Sequence, residues 1–258
     1  MNTQINKSNY DAKAVYWLES RAELLKTFRD MGFTIPSLIF PAMFYIFFGL
    51  VFNKSAMSGQ MPSYLLATYG VFGVIGPALF SFGVGVASER QQGWLTLKQC
   101  TPMPISAYFF ARVVTAQVFG LIIVFSLFIL GAVFGNVELT RTQWILTLLC
   151  LVIGSLPFCA MGLWLGLTLS AKAAPATVNL IYLPMAFLSG LWIPIQLFPE
   201  FMQSLAWIFP AFHLSQLTLA IQGFHLKFDL IWHLSILVLM TVVFFFLAFR
   251  AFKKMSIN

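Results

Sequence analysis

Six long apolar runs, separated by short polar stretches, constrain the fold of this chain more than any other feature. They cover about 33–52, 65–87, 107–134, 144–169, 175–195 and 231–249. As a helix rising ~1.5 Å per residue, each run can cross a ~30 Å hydrocarbon core. Charged residues make up only 9% of the chain, too few to cover the surface of a soluble domain. The sequence therefore predicts an all-α membrane protein with six transmembrane helices.

The segment before the first run is predicted to be a helix lying in the membrane interface. Within residues 11–31, apolar side chains recur every three or four positions and charged side chains share another face. The apolar positions are Val15, Leu18, Ala22, Leu25 and Phe28, and the charged ones are Glu19, Glu23, Lys26 and Asp30. A soluble amphipathic helix shows the same pattern, but a span follows at once, which favours the interface. The chain therefore divides into 1–31, a cytoplasmic tail with this helix, and 32–258, the six-helix domain.

The positions of the Lys and Arg residues predict the orientation. With six spans both termini share one side, and of the 15 Lys and Arg residues only Lys54, Arg141 and Lys227 fall on the other side. Because an excess of Lys and Arg marks cytoplasmic loops, both termini and the loop after the second span are predicted to be cytoplasmic. The bias fits a bacterial inner or plasma membrane. It also accounts for the net charge of +7, so no nucleic-acid partner is expected.

The segment at about 196–230 is the longest connection on the outer side, yet it stays apolar. Pro194, Pro199 and Pro210 divide it into pieces too short to span. A pair of re-entrant or interfacial helices fits this pattern. An additional span would place the C-terminus outside, and the basic residues at 250–254 argue against that.

The sequence contains no motif for catalysis of its own. No glycine-rich nucleotide-binding loop, zinc-ligand spacing of histidines or nucleophile–base constellation is recognisable. The spans also contain almost no ionisable residues. Arg112 lies about one turn into the third span and is predicted to snorkel to the cytoplasm. Without an intramembrane carboxylate, ion-coupled transport is disfavoured, so energy for pumping would come from a cytoplasmic partner.

A few polar residues inside the spans are candidates for lining a pathway. They are Asn179, Gln117, Tyr182 and Ser189. For Asn179 a hydrogen bond between helices competes with a contact to substrate, and the helix–helix bond is favoured.

A compact polar stretch, residues 89–102, separates the second and third runs. It is either an inert turn or a surface that meets a partner in the aqueous phase. Its Glu-Arg, Gly, Leu and Thr-Pro order resembles the cytoplasmic loop of type-2 ATP-binding-cassette (ABC) transporter permeases. The residues that carry the resemblance are Glu89, Arg90, Gly93, Leu95, Thr101 and Pro102. The stretch 188–194, LSGLWIP, followed by two Phe-Pro pairs, is similar to the end of that family's fifth span.

This resemblance implies a permease domain that pairs with a second permease copy and two separate ATPase subunits, which bind ATP and Mg. In such families the Glu-to-Pro loop holds a coupling helix that docks on the ATPase, so these six residues become candidate contacts. Thr96, Lys98 and Gln99 stand where acidic or leucine residues are frequent, which leaves the chemistry of the partner's groove open.

The substrate expected from the 29 phenylalanines and the scarce charges is hydrophobic or amphipathic: drug-like, lipid-linked or polysaccharide-related. Export as the direction follows from the resemblance alone. The alternatives are an ATPase-independent secondary transporter or channel, and an intramembrane enzyme or assembly scaffold. Membrane lipid is the expected surrounding in every case.

Overall fold

The computed structural model describes residues 12–52, 60–101, 103–224 and 229–255, and within them the chain is helical and contains no strand. The helices are α1 (Ala12–Arg29), α2 (Met31–Phe44), α3 (Met61–Phe80), α4 (Val86–Gln91), α5 (Trp94–Gln99), α6 (Ile105–Phe134), α7 (Arg141–Gly154), α8 (Leu156–Thr168), α9 (Ala174–Leu188), α10 (Glu200–Ala206), α11 (Pro210–Ile221) and α12 (Leu230–Met255). A π-helical segment extends α2, and another joins α3 to α4. The prediction of an all-α protein is confirmed.

Five continuous helical runs among the described residues are long and apolar enough to cross a membrane. They are Met31–Val51, Met61–Gln91, Ile105–Phe134, Arg141–Thr168 and Leu230–Lys254. They correspond to the first four predicted spans and to the last one.

The predicted fifth span, 175–195, differs from the others. Its helix α9 has 15 residues, which is only about 22 Å of helix. It ends at Leu188 because Gly190 adopts a left-handed conformation at φ 71°, and the chain then turns back on itself. A sixth crossing therefore stays a prediction.

The outer segment contains the predicted pair of short helices. A 3₁₀ turn at Ile195–Leu197 leads into α10, and α11 follows at an angle of 94° to it. Pro210 begins α11, where its missing N–H costs no hydrogen bond. Their depth in the membrane stays a prediction.

Helix α1 buries part of its charged face against the rest of the chain and exposes much of its apolar face. Glu23 is buried, whereas Trp17 and Leu18 are 69% and 59% exposed. The ring of Phe28 stacks on Phe119 of α6 with 4.7 Å between ring centroids. An outward apolar face suits lipid, and the position of α1 in the membrane interface stays a prediction.

The second run, α3 to α4, lies in the centre of the bundle and contacts α8 closely. A Cβ on Gly166 would lie 2.3 Å from the carbonyl oxygen of Phe82, and one on Gly162 would lie 3.0 Å from that of Leu79. Only glycine permits this approach of two backbones, a frequent device in membrane helices.

The two ends of the bundle have different chemistry. At one end α1, the α4–α5 turn, the start of α6 and the last turns of α12 meet; Phe109, for example, contacts Phe252 with 5.9 Å between ring centroids. We call this the charged end. The other end, where α9 stops and α10 and α11 lie, is dominated by Phe44, Trp192 and Trp207, and we call it the aromatic end.

Candidate functional site

The turn between α4 and α5 gives the loop at the charged end its shape. Gly93 has φ 80° and ψ 0°, a left-handed conformation that costs other residues roughly 1 kcal/mol or more. Its N–H donates to the carbonyl of Arg90 at 3.1 Å, and its own carbonyl accepts from the N–H of Leu97 at 3.0 Å. A glycine at this point therefore ends one helix and begins the next.

Glu89 points into the chain and away from solvent. Its carboxylate accepts a hydrogen bond from the hydroxyl of Tyr108 at 2.6 Å and lies 2.7 Å from Nη2 of Arg112. It also pairs with Lys26 of α1. Three elements, α1, α4 and α6, thus meet on one carboxylate.

Arg112 is the centre of this cluster and is only 1% exposed. Its Nε donates to the Tyr108 hydroxyl at 2.9 Å, its Nη1 donates to the carbonyl of Ser81, and its Nη2 lies 3.4 Å from Glu23. The prediction that Arg112 snorkels to the cytoplasm is therefore wrong. The side chain turns inward because two carboxylates there offset its charge.

The shape of the neighbouring backbone makes room for this guanidinium. A Cβ on Gly85 would lie 2.4 Å from Nη1 of Arg112. We call Glu23, Lys26, Glu89, Tyr108 and Arg112 the ionic cluster. Its two carboxylates and two cations balance, which is the condition under which buried charges are tolerated.

Arg90 joins the loop to the end of α8. Its guanidinium donates to the carbonyl of Leu167 and, at 2.6 Å, to that of Leu169. The last carbonyls of a helix have no partner within the helix, so Arg90 caps α8. Close by, the N–H of Ala171 donates to the side-chain oxygen of Gln91 at 3.1 Å.

Helix α5 presents one side to the chain and another to solvent. Leu95 is buried, and Lys98 pairs with Glu19 of α1. Trp94 and Leu97 are 53% and 59% exposed. A helix of six residues thus exposes two large apolar side chains at the charged end.

The residues predicted as partner contacts therefore divide into two groups. Glu89, Arg90 and Leu95 contact other parts of this chain, and Gly93 shapes the turn. Thr101 is exposed, and Pro102 lies outside the described residues.

The sequence interpretation did not include Trp94 and Leu97 as exposed residues, or Tyr108 and Arg112 as partners of Glu89. The charged face of α1 was the signal that could have indicated a buried partner for Glu23.

A cavity of about 720 Å³ lies between α1, α3 and the loop. Among its lining residues are Phe33, Phe80, Ser88, Trp94 and Arg112. Its wall is partly apolar, and its polar part includes four members of the ionic cluster together with other polar residues such as Glu19 and Ser88.

The four predicted pathway-lining residues have different surroundings. The side-chain amide of Gln117 donates to Ser155 at 2.9 Å, and the hydroxyl of Tyr182 donates to the carbonyl of Phe72 at 3.0 Å. Ser189 is buried at the end of α9. Only Asn179 is exposed on the surface of the chain, so a helix–helix hydrogen bond for it requires a second molecule.

Among the described residues, no group of three or more His, Cys, Asp or Glu side chains is arranged to hold a metal ion.

These features define a multi-pass helical membrane protein with a rigidly held polar loop between two of its long helices. A family model described as ABC-2 type transporter matches residues 15–223, which include every helix from α2 to α11. A protein of Bacillus subtilis (strain 168), named "Putative transport permease YvfS", is 30% identical over 196 residues, covering 76% of this chain and 80% of that protein.

The chain belongs to the ABC-2 transporter permease family. It is an integral membrane permease, and its family implies an ATPase partner subunit and dimerisation.

Proposed function

We propose that this chain is the permease subunit of an ABC exporter. With a second permease copy it forms a pathway for a hydrophobic or amphipathic substrate, which is drug-like, lipid-linked or polysaccharide-related. ATP hydrolysis on separate cytoplasmic ATPase subunits, which bind ATP and Mg, drives the transport. The protein spans a bacterial inner membrane six times, with both termini in the cytoplasm.

The exposed surface of α5 is the observation that carries this proposal. Trp94 and Leu97 are apolar, adjacent on one helix and accessible at the charged end. Such side chains are typical of the buried centre of a protein interface. They form, with Thr101 and Pro102, the surface that docks into the ATPase.

The inward residues of the loop have a second role in this proposal. Glu89 and Arg90 hold the loop against α1, α6 and α8, Leu95 packs its underside, and Gly93 sets the turn. Because the ionic cluster links these elements by several short contacts, a push on α5 moves them together. Rigid-body motion of this kind converts closure of the ATPase pair into opening of the pathway.

The positions of the connections support six crossings with both ends on one side. The turn after α8 contacts Gln91 at the charged end, and the chain after α9 contacts Tyr69, whose hydroxyl donates to the carbonyl of Trp192 at 3.3 Å. Helix α12 ends at the charged end, where Phe252 meets Phe109. In the proposed topology the chain passes from one end to the other along α9 and returns along α12.

Asn179 is the residue we assign to the second copy or to the pathway. It shares an exposed face of α9 with Leu180 and Leu183. A carboxamide in hydrocarbon is costly without a hydrogen-bond partner, which a neighbouring permease or a polar group of the substrate supplies. Tyr182 and Ser189, which are buried on and just after α9, support this surface from inside the chain, whereas Gln117 bonds to Ser155 at the junction of α7 and α8.

Co-purification of the chain with its ATPase subunit tests the docking surface. We expect Trp94→Glu and Leu97→Glu each to abolish the complex, because a charge enters an apolar contact. The matched control is Phe201→Glu, an equally large exposed apolar residue on α10, which keeps the complex.

Retention of the complex in both loop variants would contradict the docking surface. Transport by the purified chain alone in vesicles, driven by an ion gradient, would favour the secondary transporter or channel instead.

A further inference from the structure

We propose that His213 and His233 form a proton-binding clasp that holds the outer helix pair against the last span and opens when the exterior becomes acidic. The proposal does not depend on ATPase coupling. His213 lies on α11 and His233 lies on the first turn of α12. Their Nδ1 atoms are 2.9 Å apart, and both residues are buried, at 0% and 1% exposure.

The hydrogen bonds of His213 determine the tautomers of both rings. Its Nε2 lies 2.9 Å from the carbonyl oxygen of Trp207. A carbonyl only accepts, so Nε2 of His213 carries a proton and, in the neutral ring, Nδ1 carries none. Nδ1 of His213 therefore accepts a hydrogen bond from Nδ1–H of His233. In the neutral state the pair forms a continuous chain, from α12 through α11 to the carbonyl of Trp207.

The surroundings of the two rings are apolar. The rings of Trp207 and Phe212 lie 5.6 Å and 5.9 Å from that of His233, centroid to centroid. The titratable groups on the adjoining elements are Tyr64 and Tyr69 of α3, Arg141 and Cys150 of α7, Cys159 of α8, Glu200 of α10, and Asp229 just before α12. Within the described ranges none of them hydrogen-bonds or ion-pairs with either imidazole. Among the residues that the structure describes, no carboxylate is thus in place to offset a positive charge on the pair.

Protonation of the pair proceeds in two steps. The first proton enters at Nε2 of His233, the one ring nitrogen whose lone pair accepts no hydrogen bond within the pair, and the Nδ1–H···Nδ1 hydrogen bond stays in place. A second proton leaves two Nδ1–H groups facing each other with no acceptor between them. The buried charges and this clash both favour separation of the rings and their hydration.

The position of the pair gives the separation a defined consequence. Trp207 lies at the bend between α10 and α11, so the hydrogen-bonded chain joins that bend, α11 and α12. Losing the contact between the rings releases the helix pair from the last span. The clasp is therefore closed at neutral pH and open in acid.

Spin-label distance measurements test the clasp directly. Labels are placed on cysteines replacing Phe201 of α10 and Val238 of α12, both exposed, in the full chain with its three native cysteines replaced. The protein is held in lipid nanodiscs at about pH 7.5 and about pH 5, on either side of the range in which imidazole titrates. We expect the distance distribution to shift to longer values in acid.

Two variants test whether the histidine pair, rather than another titrating group, causes the change in distance. In His233→Asn the side-chain amide donates to neutral His213 and, after a flip, accepts from protonated His213. Because asparagine does not titrate, the pair cannot take up a second proton. We therefore expect the spin-label distance distribution to stay unchanged in acid. His213→Phe with His233→Phe removes titration altogether and is likewise expected to show none. If the double variant fails to fold, His233→Asn alone decides. Absence of a shift in the chain with both histidines, or an undiminished shift in His233→Asn, would overturn the proposal.

Histidine ¹⁵N chemical shifts in the same nanodiscs provide a second measurement. At neutral pH they should show one ring of the pair protonated at Nε2 and the other at Nδ1. Two rings with the same tautomer would contradict the assigned hydrogen-bond chain.

Discussion

The charged end and the aromatic end of this molecule hold their helices together by different means. At the charged end, Glu89 and Arg112 each contact three or more polar groups, and in each case at least two other elements contribute them. At the aromatic end, helices meet through rings: Trp192 stacks on Phe44 with an interplanar angle of 8°, and Trp207 contacts Phe212.

The difference has a mechanical meaning. A buried ion pair resists separation, because moving one partner leaves the other charge unpaired. Ring contacts depend less on direction, and a shift of one ring across another costs little of its burial. The charged end is therefore suited to transmit motion, and the aromatic end is suited to rearrange. The predictions below test this contrast, from the largest expected effect to the smallest.

Arg112→Met should have the largest effect on stability. It leaves Glu23 and Glu89 buried without their main cation, which costs about 3–5 kcal/mol in the free energy of unfolding. Denaturant titration in mixed micelles measures the change. Arg21→Met is the matched control, because Arg21 is exposed on α1, and it should change the free energy by less than about 0.5 kcal/mol. Equal losses of unfolding free energy in the two variants would show that the ionic cluster does not stabilise the charged end more than an exposed residue does.

Gly85→Ala should destabilise the protein by about 1–3 kcal/mol, because the added methyl group overlaps Nη1 of Arg112. Gly120→Ala on α6 is the control. There the new Cβ would meet its nearest neighbour, on Val74, at an ordinary 3.4 Å. Thermal unfolding in detergent should lower the midpoint for the first variant only. Similar unfolding midpoints for the two variants would show that the Arg112 guanidinium can move away from the new methyl group at little cost.

Tyr69→Phe tests the aromatic end. The variant loses one hydrogen bond of 3.3 Å to the Trp192 carbonyl and keeps the ring that stacks on Phe44. We expect a loss of about 0.5–1.5 kcal/mol in the same denaturant titration. A loss as large as that of Arg112→Met would contradict the view that this end depends on ring packing.

Asn179→Leu should have the smallest effect on the isolated chain, within about 0.5 kcal/mol, because Asn179 is exposed. Its effect should appear instead in the assembled transporter, as weaker association of the two permease copies or as altered substrate selectivity. Cross-linking of the pair and transport assays measure these. If cross-linking and transport were both unchanged in Asn179→Leu, Asn179 would lie neither in the interface between the two copies nor in the pathway.

The sequence predicted the positions and lengths of some helices better than those of others. Apolar periodicity and the length of the apolar runs indicated where helices form. The ends of α1 and of the long runs were therefore predicted within a few residues. The length of α9 was not, because residues 189–195 are as apolar as the helix before them, and the left-handed turn at Gly190 ends the helix.

The candidate site shows the same limit. The resemblance of residues 89–102 to a coupling loop indicated the right segment but not which side chains face outward. Glu89 and Arg90 are two of the three charged residues of that loop, and the sequence predicted both as contacts of a partner. They turn inward because Arg112, the Tyr108 hydroxyl and the last carbonyls of α8 bind them.

The sequence by itself determined that this chain is a helical membrane protein, where most of its helices lie and to which family it belongs. These properties depend on local hydropathy and on the order of a few residues along the chain. Only the tertiary structure decided the partners of its charges and of its two buried histidines. The groups that meet there, such as Glu23 with Arg112 and His213 with His233, are separated along the chain, and helix packing alone brings them together.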